Sequence, residues 1–252
     1  MWVSLNKGKM ERDGISIYEK LQEYLGIRED SISILEENID TDIQLEYFQH
    51  SRNLNSFKTE EEIIRDKDII FDMQLPIDEK KSALIELASL NNVEAYRTIE
   101  KYLHQPNIKL YKWACMALQE SKLKLESNLL DESKALISTG LGGKGLKLRY
   151  FIVLFTPDGE KLSQYNAQTI RKELNFYLPR CGAELEDILF EKSFASILAI
   201  IPLKVDLQEL FRKIIKECND LGDFLYDDFI ITNMKAMSVD EITELLCINN
   251  IY

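Results

Sequence analysis

The chain of 252 residues can hold one large domain or two small ones, and its 45% hydrophobic and 29% charged content is typical of a folded globular protein. That composition excludes disorder as the default state, because a sizeable core can form. The formal net charge of −12 opposes contact with a phosphate backbone or an anionic bilayer, although residues 76–145 by themselves are close to neutral at +1.

Residues 1–75 are expected to be a helical or irregular lead-in. Apolar residues at helical spacing predict a helix over 15–25 that ends at Gly26, and a second short helix over 31–37. Residues 38–58 are polar and weakly patterned. Thr59, followed by three glutamates, predicts a capped helix start, because the helix dipole favours acidic side chains in the first turn.

A short echo runs through residues 76–139. Residues 83–87 (ALIEL) return 31 residues later as 114–118 (ACMAL), and each copy precedes a second apolar stripe. Pro76 is predicted to start the first helix, Asn91-Asn92 to break it, and residues 129–137 to form the last helix. A period of this length is typical of helical repeats, which stack because no single unit buries its apolar face.

The echoed residues resemble the HEAT repeat family, in particular the HEAT-like repeats of phycobilisome lyases. The resemblance rests on residues 83–87 and 114–118 and on the intervening segment 91–95 (NNVEA). It implies an all-α N-terminal region, 1–139, with HEAT-like repeats over 76–139. It says almost nothing about activity.

Four glycines occur within residues 140–145. A phosphate-binding P-loop would need a strand before them, a helix after them, and Ser or Thr after Lys144, where the sequence has Gly145. The segment is therefore predicted to be a flexible linker between two domains.

Residues 146–252 change to a βαββαβ pattern followed by a helix. The first and third predicted strands are continuous apolar runs and the second is charged, which predicts two central strands and an edge strand. The pattern resembles the ferredoxin-like fold. The predicted fold class is thus α+β: helical repeats over 1–139, then a ferredoxin-like sandwich over 146–252, an antiparallel sheet with its helices on one face.

No group of residues has the pattern of a catalytic or metal site. His50 and His104 have no nucleophile at a recognisable spacing, and the four cysteines are far apart. Asp158 and the acidic residues of 220–228 are better explained as turns. The sequence therefore predicts no enzyme, no cofactor and no metal.

The sequence favours a non-catalytic interaction protein whose repeat surface binds a protein or peptide. The candidate binding residues are the cations and the aromatic residue of the middle segment: Arg97, Lys101, Lys109, Tyr111 and Lys112. Alternatives are a small-molecule sensor or an assembly module in residues 146–252, through which a homo-oligomer could form. A nucleic-acid-acting enzyme is disfavoured by the net charge. No leader or membrane span is recognised, so a cytoplasmic protein with no membrane partner is expected.

Overall fold

A computed structural model of the chain describes most of its length. The described residues are 2–4, 18–19, 22–23, 26, 28–54, 58–130 and 134–248. They combine helices with two β-sheets, which confirms the predicted mixture of α and β structure. The helix predicted over 15–25 lies mostly outside these residues.

Within residues 28–54 and 58–130, the first part of the chain has five α-helices. They are α1 (Thr41–Asn53), α2 (Glu60–Arg65), α3 (Ile77–Ser89), α4 (Val93–His104) and α5 (Tyr111–Leu130). The start predicted at Thr59 is confirmed, since Thr59 and Glu62 form a reciprocal capping box at α2. Asn92, predicted to break the preceding helix, also caps α4, where its side chain accepts from two backbone N–H groups.

The structure does not confirm a HEAT-like array. The helices α3 and α4 form one pair against α5, but α5 continues as one helix to Leu130, and residues 135–138 then form a strand. The prediction of a final helix over 129–137 is therefore wrong. Ala135 and Ile137 face one hydrophobic cluster while Leu136 faces another, so their burial alternates with the period of two of a strand.

The strand at residues 135–138 is part of a small parallel sheet. Its members are β1 (Trp2–Ser4), β2 (Ile32–Ile34) and β3 (Ala135–Ser138), with β3 in the centre. The N-terminal region is thus not all-α, and the short helix expected over 31–37 is wrong. Pairing with β3, about a hundred residues away, stabilises an extended conformation that no local pattern announces.

A second, antiparallel sheet forms the other half of the molecule. Its strands are β4 (Gly143–Lys144), β5 (Lys147–Phe155), β6 (Glu184–Phe190), β7 (Phe194–Pro202) and β8 (Phe229–Thr232). β5 pairs with β7 on one side, and with β8 and β4 on the other, while β6 lies at the edge beside β7. The predicted central strands and charged edge strand are confirmed.

Helices cover both faces of this sheet. α6 (Gln164–Arg180) and α7 (Leu207–Asn219) pack side by side on one face, and α8 (Val239–Ile248) contributes Ile242 and Leu246 to the cluster on the other. The expectation of helices on one face alone is therefore wrong. Even-numbered residues of β5 from Leu148 to Leu154 point towards α6 and α7, and Phe151, Val153 and Phe155 point towards α8.

The glycine-rich segment is a buried connection and not a flexible linker. Residues 140–143 are buried, and the backbone N–H groups of Leu141 and Gly143 donate to the carbonyl oxygens of Asn233 and Glu36. A Cβ atom on Gly140 would collide with the carbonyl group of Met234. Ile32, Ile34, Ala135 and Ile137 also share one hydrophobic cluster with β5 and β7. The predicted domain boundary therefore crosses a continuous core.

Among the described residues, no helix combines the length and the apolar character needed to cross a bilayer.

Stability should fall at alkaline pH because of the buried thiol of Cys218. Burial, followed by the charges of Glu173 and Glu217, raises the pKa of Cys218 from 9.0 to about 12. Below about pH 9 the thiol is protonated in both the folded and the unfolded state, so its contribution to the free energy of unfolding is fully present. Between about pH 9 and 12 the unfolded thiol ionises while the folded one keeps its proton, and stability is lost. The free energy of unfolding, measured by urea titration at several pH values, should fall less steeply with pH in Cys218→Ala. An unchanged slope would contradict this expectation.

Candidate functional site

The outer surface of α6 and α7 carries a row of cations and aromatic rings. Ile170, Leu174 and Leu178 of α6 point into the core, and this leaves residues 171, 172, 175, 176 and 180 exposed on the opposite side of the helix. The helical spacing likewise leaves residues 212, 213 and 216 of α7 exposed, because Phe211, Ile214 and Ile215 are buried on its other side. We call this surface, with Phe190 of the neighbouring β6, the basic–aromatic face.

Four of its side chains form a continuous row across the two helices. The Arg180 guanidinium lies 3.2 Å from the centroid of the Phe176 ring. The Phe176 and Tyr177 rings meet edge to face at 5.0 Å, and the Lys213 ammonium of α7 lies 5.1 Å from the Tyr177 ring. Beside the row, the Arg171 guanidinium lies 5.5 Å from the Phe190 ring. Each contact has the geometry of a cation–π or aromatic pair.

The row stays accessible from solution. Phe176 is 47% exposed even though Arg180 lies against its ring. An aromatic side chain that keeps nearly half of its surface in water contributes less to stability than a buried one. The ring is therefore free to contact a ligand.

Most cations of this face are unpaired. Five of the six form no ion pair with a carboxylate in the part of the chain that the structure describes: Arg171, Arg180, Arg212, Lys213 and Lys216. Lys172 lies 3.7 Å from Glu173, which is buried. The other acidic groups of the two helices are Glu209 and Glu217. Partial burial and the hydrogen bond to Glu217 raise the pKa of Tyr177.

The lysines of the helical half are mostly neutralised, in contrast. Six of them pair with carboxylates within 3.1 Å: Lys58, Lys67, Lys81, Lys112, Lys124 and Lys134. Such pairs cancel the charge that a polyanion would meet. The helices α6 and α7 themselves carry six cations and three glutamates, although Asp220, Asp223 and Asp227 share a cleft with Arg212 and Lys216 at the end of α7.

The structure brings together only some of the residues that the sequence proposes for binding. Lys109, Tyr111 and Lys112 line one cleft at the start of α5, but the Lys112 ammonium lies 2.6 Å from the Asp40 carboxylate. Arg97 and Lys101 lie on α4, outside that cleft, and the Lys101 ammonium is 5.3 Å from the Phe71 ring. A binding role for these five residues stays a prediction.

A larger cleft of about 650 Å³ lies between α5 and β2, and its lining has five acidic and two basic side chains. Tyr111 and Glu37 meet the Cys115 thiol there. Burial, followed by the charge of Glu37, raises the pKa of Cys115 to about 11, so this thiol is protonated at neutral pH. Neither a nucleophile nor an anion is favoured in this cleft.

The remaining candidates from the sequence form no site. No group of three His, Cys, Asp or Glu side chains placed to hold a metal ion occurs within the described ranges. Asp158 lies in a short 3₁₀ turn at 157–159. The His50 ring packs 5.4 Å from that of Trp113, and His104 ends α4.

The comparisons with known proteins are sparse. No family model matches the sequence, and no curated protein matches it. Among solved structures, the chain is similar to a protein from Deinococcus radiodurans R1 assigned as a transposase, with 13% identity and a TM-score of 0.36 over 44% of this chain and 96% of the other. It is also similar to a REP-associated tyrosine transposase bound to a REP hairpin, with 12% identity and a TM-score of 0.31 over 38% of this chain and 61% of the other.

These neighbours correct three expectations drawn from the sequence. They are transposases, which are enzymes, and one is bound to a REP hairpin. The predictions of a non-catalytic interaction protein, of no enzyme, and of a protein or peptide partner in preference to nucleic acid are therefore wrong. The likeness overturns these expectations without assigning an activity, which has to be argued from the surface of this chain.

Proposed function

We propose that the protein binds nucleic acid through the basic–aromatic face of α6 and α7. The row Arg180–Phe176–Tyr177–Lys213 carries this proposal, because it places unpaired cations at both ends of a pair of rings. Proteins that bind single strands combine positive grooves with aromatic platforms in this way. The structural neighbours are too distant to define an activity, so the proposal stands on the face itself.

Charge distribution supports this surface over the helical half. A polyanion is held mainly by cations that neutralise its phosphates and release counterions. Five of the six cations on α6 and α7 have no carboxylate partner among the described residues, whereas six of the ten described lysines of the helical half are paired. The net charge of −12 limits the strength of binding, while the release of counterions from the neutralised phosphates makes the affinity fall with salt.

Removing the two cations at the ends of the row should weaken binding and reduce its salt dependence. In the double variant Arg180→Ala/Lys213→Ala, the slope of log K against log salt should fall by about 0.7 for each phosphate of a single strand that the variant no longer neutralises. The measurement is fluorescence anisotropy of a labelled oligonucleotide over a salt series.

The matched comparison is Arg97→Ala/Lys101→Ala on α4, two of the residues that the sequence proposes for binding. This pair also removes two cations, one of which lies over an aromatic ring. If the basic–aromatic face is the binding surface, the affinity and salt slope of this variant should equal those of the wild type. Absence of wild-type binding at low salt, or an equal loss in both double variants, would refute the proposal.

We also propose that residues 147–232 form a ferredoxin-like unit. The order of elements, β5-α6-β6-β7-α7-β8, and the antiparallel strand order β8-β5-β7-β6 support this assignment. The fold positions the two helices but does not itself determine what they bind.

A further inference from the structure

Granting the proposed function, on which this inference rests, we infer that the basic–aromatic face selects single strands over duplexes and stacks an unpaired base on Phe176. The observation behind it is the exposure of the Phe176 ring, 47%, at the centre of the row. An exposed aromatic ring offers a π surface, and every unpaired base has a complementary one. A base inside a duplex is already stacked on both sides.

Arg180 completes the platform. Its guanidinium lies 3.2 Å from the Phe176 centroid and forms no ion pair with a described carboxylate. A guanidinium plane can itself stack on a base or donate to a phosphate with a forked geometry. The contact with Phe176 therefore holds the Arg180 guanidinium beside the ring, where it can donate to a phosphate of the bound strand.

The second ring, that of Tyr177, extends the row from α6 towards α7. Tyr177 meets Phe176 edge to face at 5.0 Å, and Lys213 lies on its far side, on α7. A single strand that crosses from α6 to α7 meets a cation, the two rings and a second cation in turn. Glu217, whose charge contributes to the raised pKa of Tyr177, lies beside the row and would repel a phosphate placed there.

The shape of the face disfavours duplex recognition. The full sequence code of a duplex is read by a helix or β-ribbon that enters the major groove, which is about 12 Å wide. α6 and α7 instead lie side by side in one layer against the sheet. The unpaired cations alone would hold a duplex only through its phosphates, without use of the rings.

The test compares one labelled sequence as a single strand and as a duplex, by anisotropy at low salt. Wild type should prefer the single strand. Phe176→Ala should weaken single-strand binding roughly tenfold and leave duplex binding unchanged. The matched control is Tyr165→Ala, which removes another exposed aromatic residue of α6 (59% exposed) from outside the row. It should leave both affinities unchanged.

A direct readout of stacking uses Phe176→Trp, which keeps an aromatic platform at this position. Added single strand should quench the indole emission of this variant beyond any change in wild type, and its affinity should equal or exceed that of wild type. Equal binding of both nucleic acids with no effect of Phe176→Ala and no quenching would overturn this inference while leaving the proposed function intact. Failure of wild type to bind either form would remove the proposed function itself.

Discussion

Gly142→Ala should lower the free energy of unfolding by about 3 kcal/mol, from left-handed backbone strain of about 1–2 kcal/mol together with overpacking of about 1–3 kcal/mol. Gly142 has a φ of +71°, and a Cβ atom built there would collide with the carbonyl oxygen of Glu36 and lie 2.6 Å from that of Glu37. Both neighbours are backbone atoms, so no side chain can rotate to make room. The measurement is urea unfolding followed by circular dichroism.

Gly145→Ala is the matched control for this prediction. Gly145 has a similar φ of +60° but no atom within 4 Å of an added Cβ. It should cost only the left-handed strain, about 1 kcal/mol. The difference between the two variants isolates the close approach of residues 36 and 37 to the glycine segment. Equal losses of stability in the two variants would mean that residue 142 is not packed as described.

Trp113→Ala should have an effect as large, about 3–5 kcal/mol. Trp113 is 2% exposed on α5, and its indole lies at the centre of the helical half. Its ring contacts that of Tyr47 at 5.1 Å, its N–H donates to the Lys81 carbonyl oxygen at 3.2 Å, and the Lys81 ammonium lies 4.4 Å above it. Truncation opens a cavity beneath α1 and leaves the Lys81 carbonyl without this donor.

Trp113→Phe separates packing from hydrogen bonding. It keeps most of the ring but removes the N–H donor, so its cost should be about 1–2 kcal/mol. Both variants are compared with wild type by urea unfolding, with far-ultraviolet circular dichroism as the signal because the substitution removes a fluorophore. A smaller destabilisation by Trp113→Ala than by Trp113→Phe would contradict the assignment of this residue to the core.

Part of the fold was predictable wherever one local signal sufficed. The starts of α2 and α4 follow from Thr59 and Asn92, whose side chains satisfy backbone N–H groups within three residues. β5 and β7 are continuous apolar runs, and such strands have to be central because both of their faces are buried.

Other elements depend on contacts that no local pattern contains. α1 lies in the weakly patterned segment 38–58, and its buried Gln44 is satisfied by the carbonyl oxygens of Ile39 and Thr139. β2 is three residues long and is stable only beside β3. The apolar residues 129–137 fit a helix as well as a strand at such short length, and pairing with β2 decides between the two.

The candidate face was likewise predictable only in part from the sequence. The sequence allows the exposed positions of α6 and α7 to be read one helix at a time, from the spacing of their buried residues. The acidic composition, however, directed the search for binding residues to the nearly neutral middle segment, where Lys112 and other lysines are paired. Which cations are neutralised depends on contacts such as Lys112 with Asp40, 72 residues apart.

The sequence by itself determined the start of α2, the central and edge strands of residues 146–252, and the sides of α6 and α7 that are buried. These follow from hydrogen bonding and burial over a few neighbouring residues. Only the tertiary structure decided that residues 140–143 are buried, that β2 and β3 join the core of the second sheet, and that Lys213 stands beside Tyr177. The reason is physical: each of these depends on segments that are distant in the chain, brought together by a shared hydrophobic core.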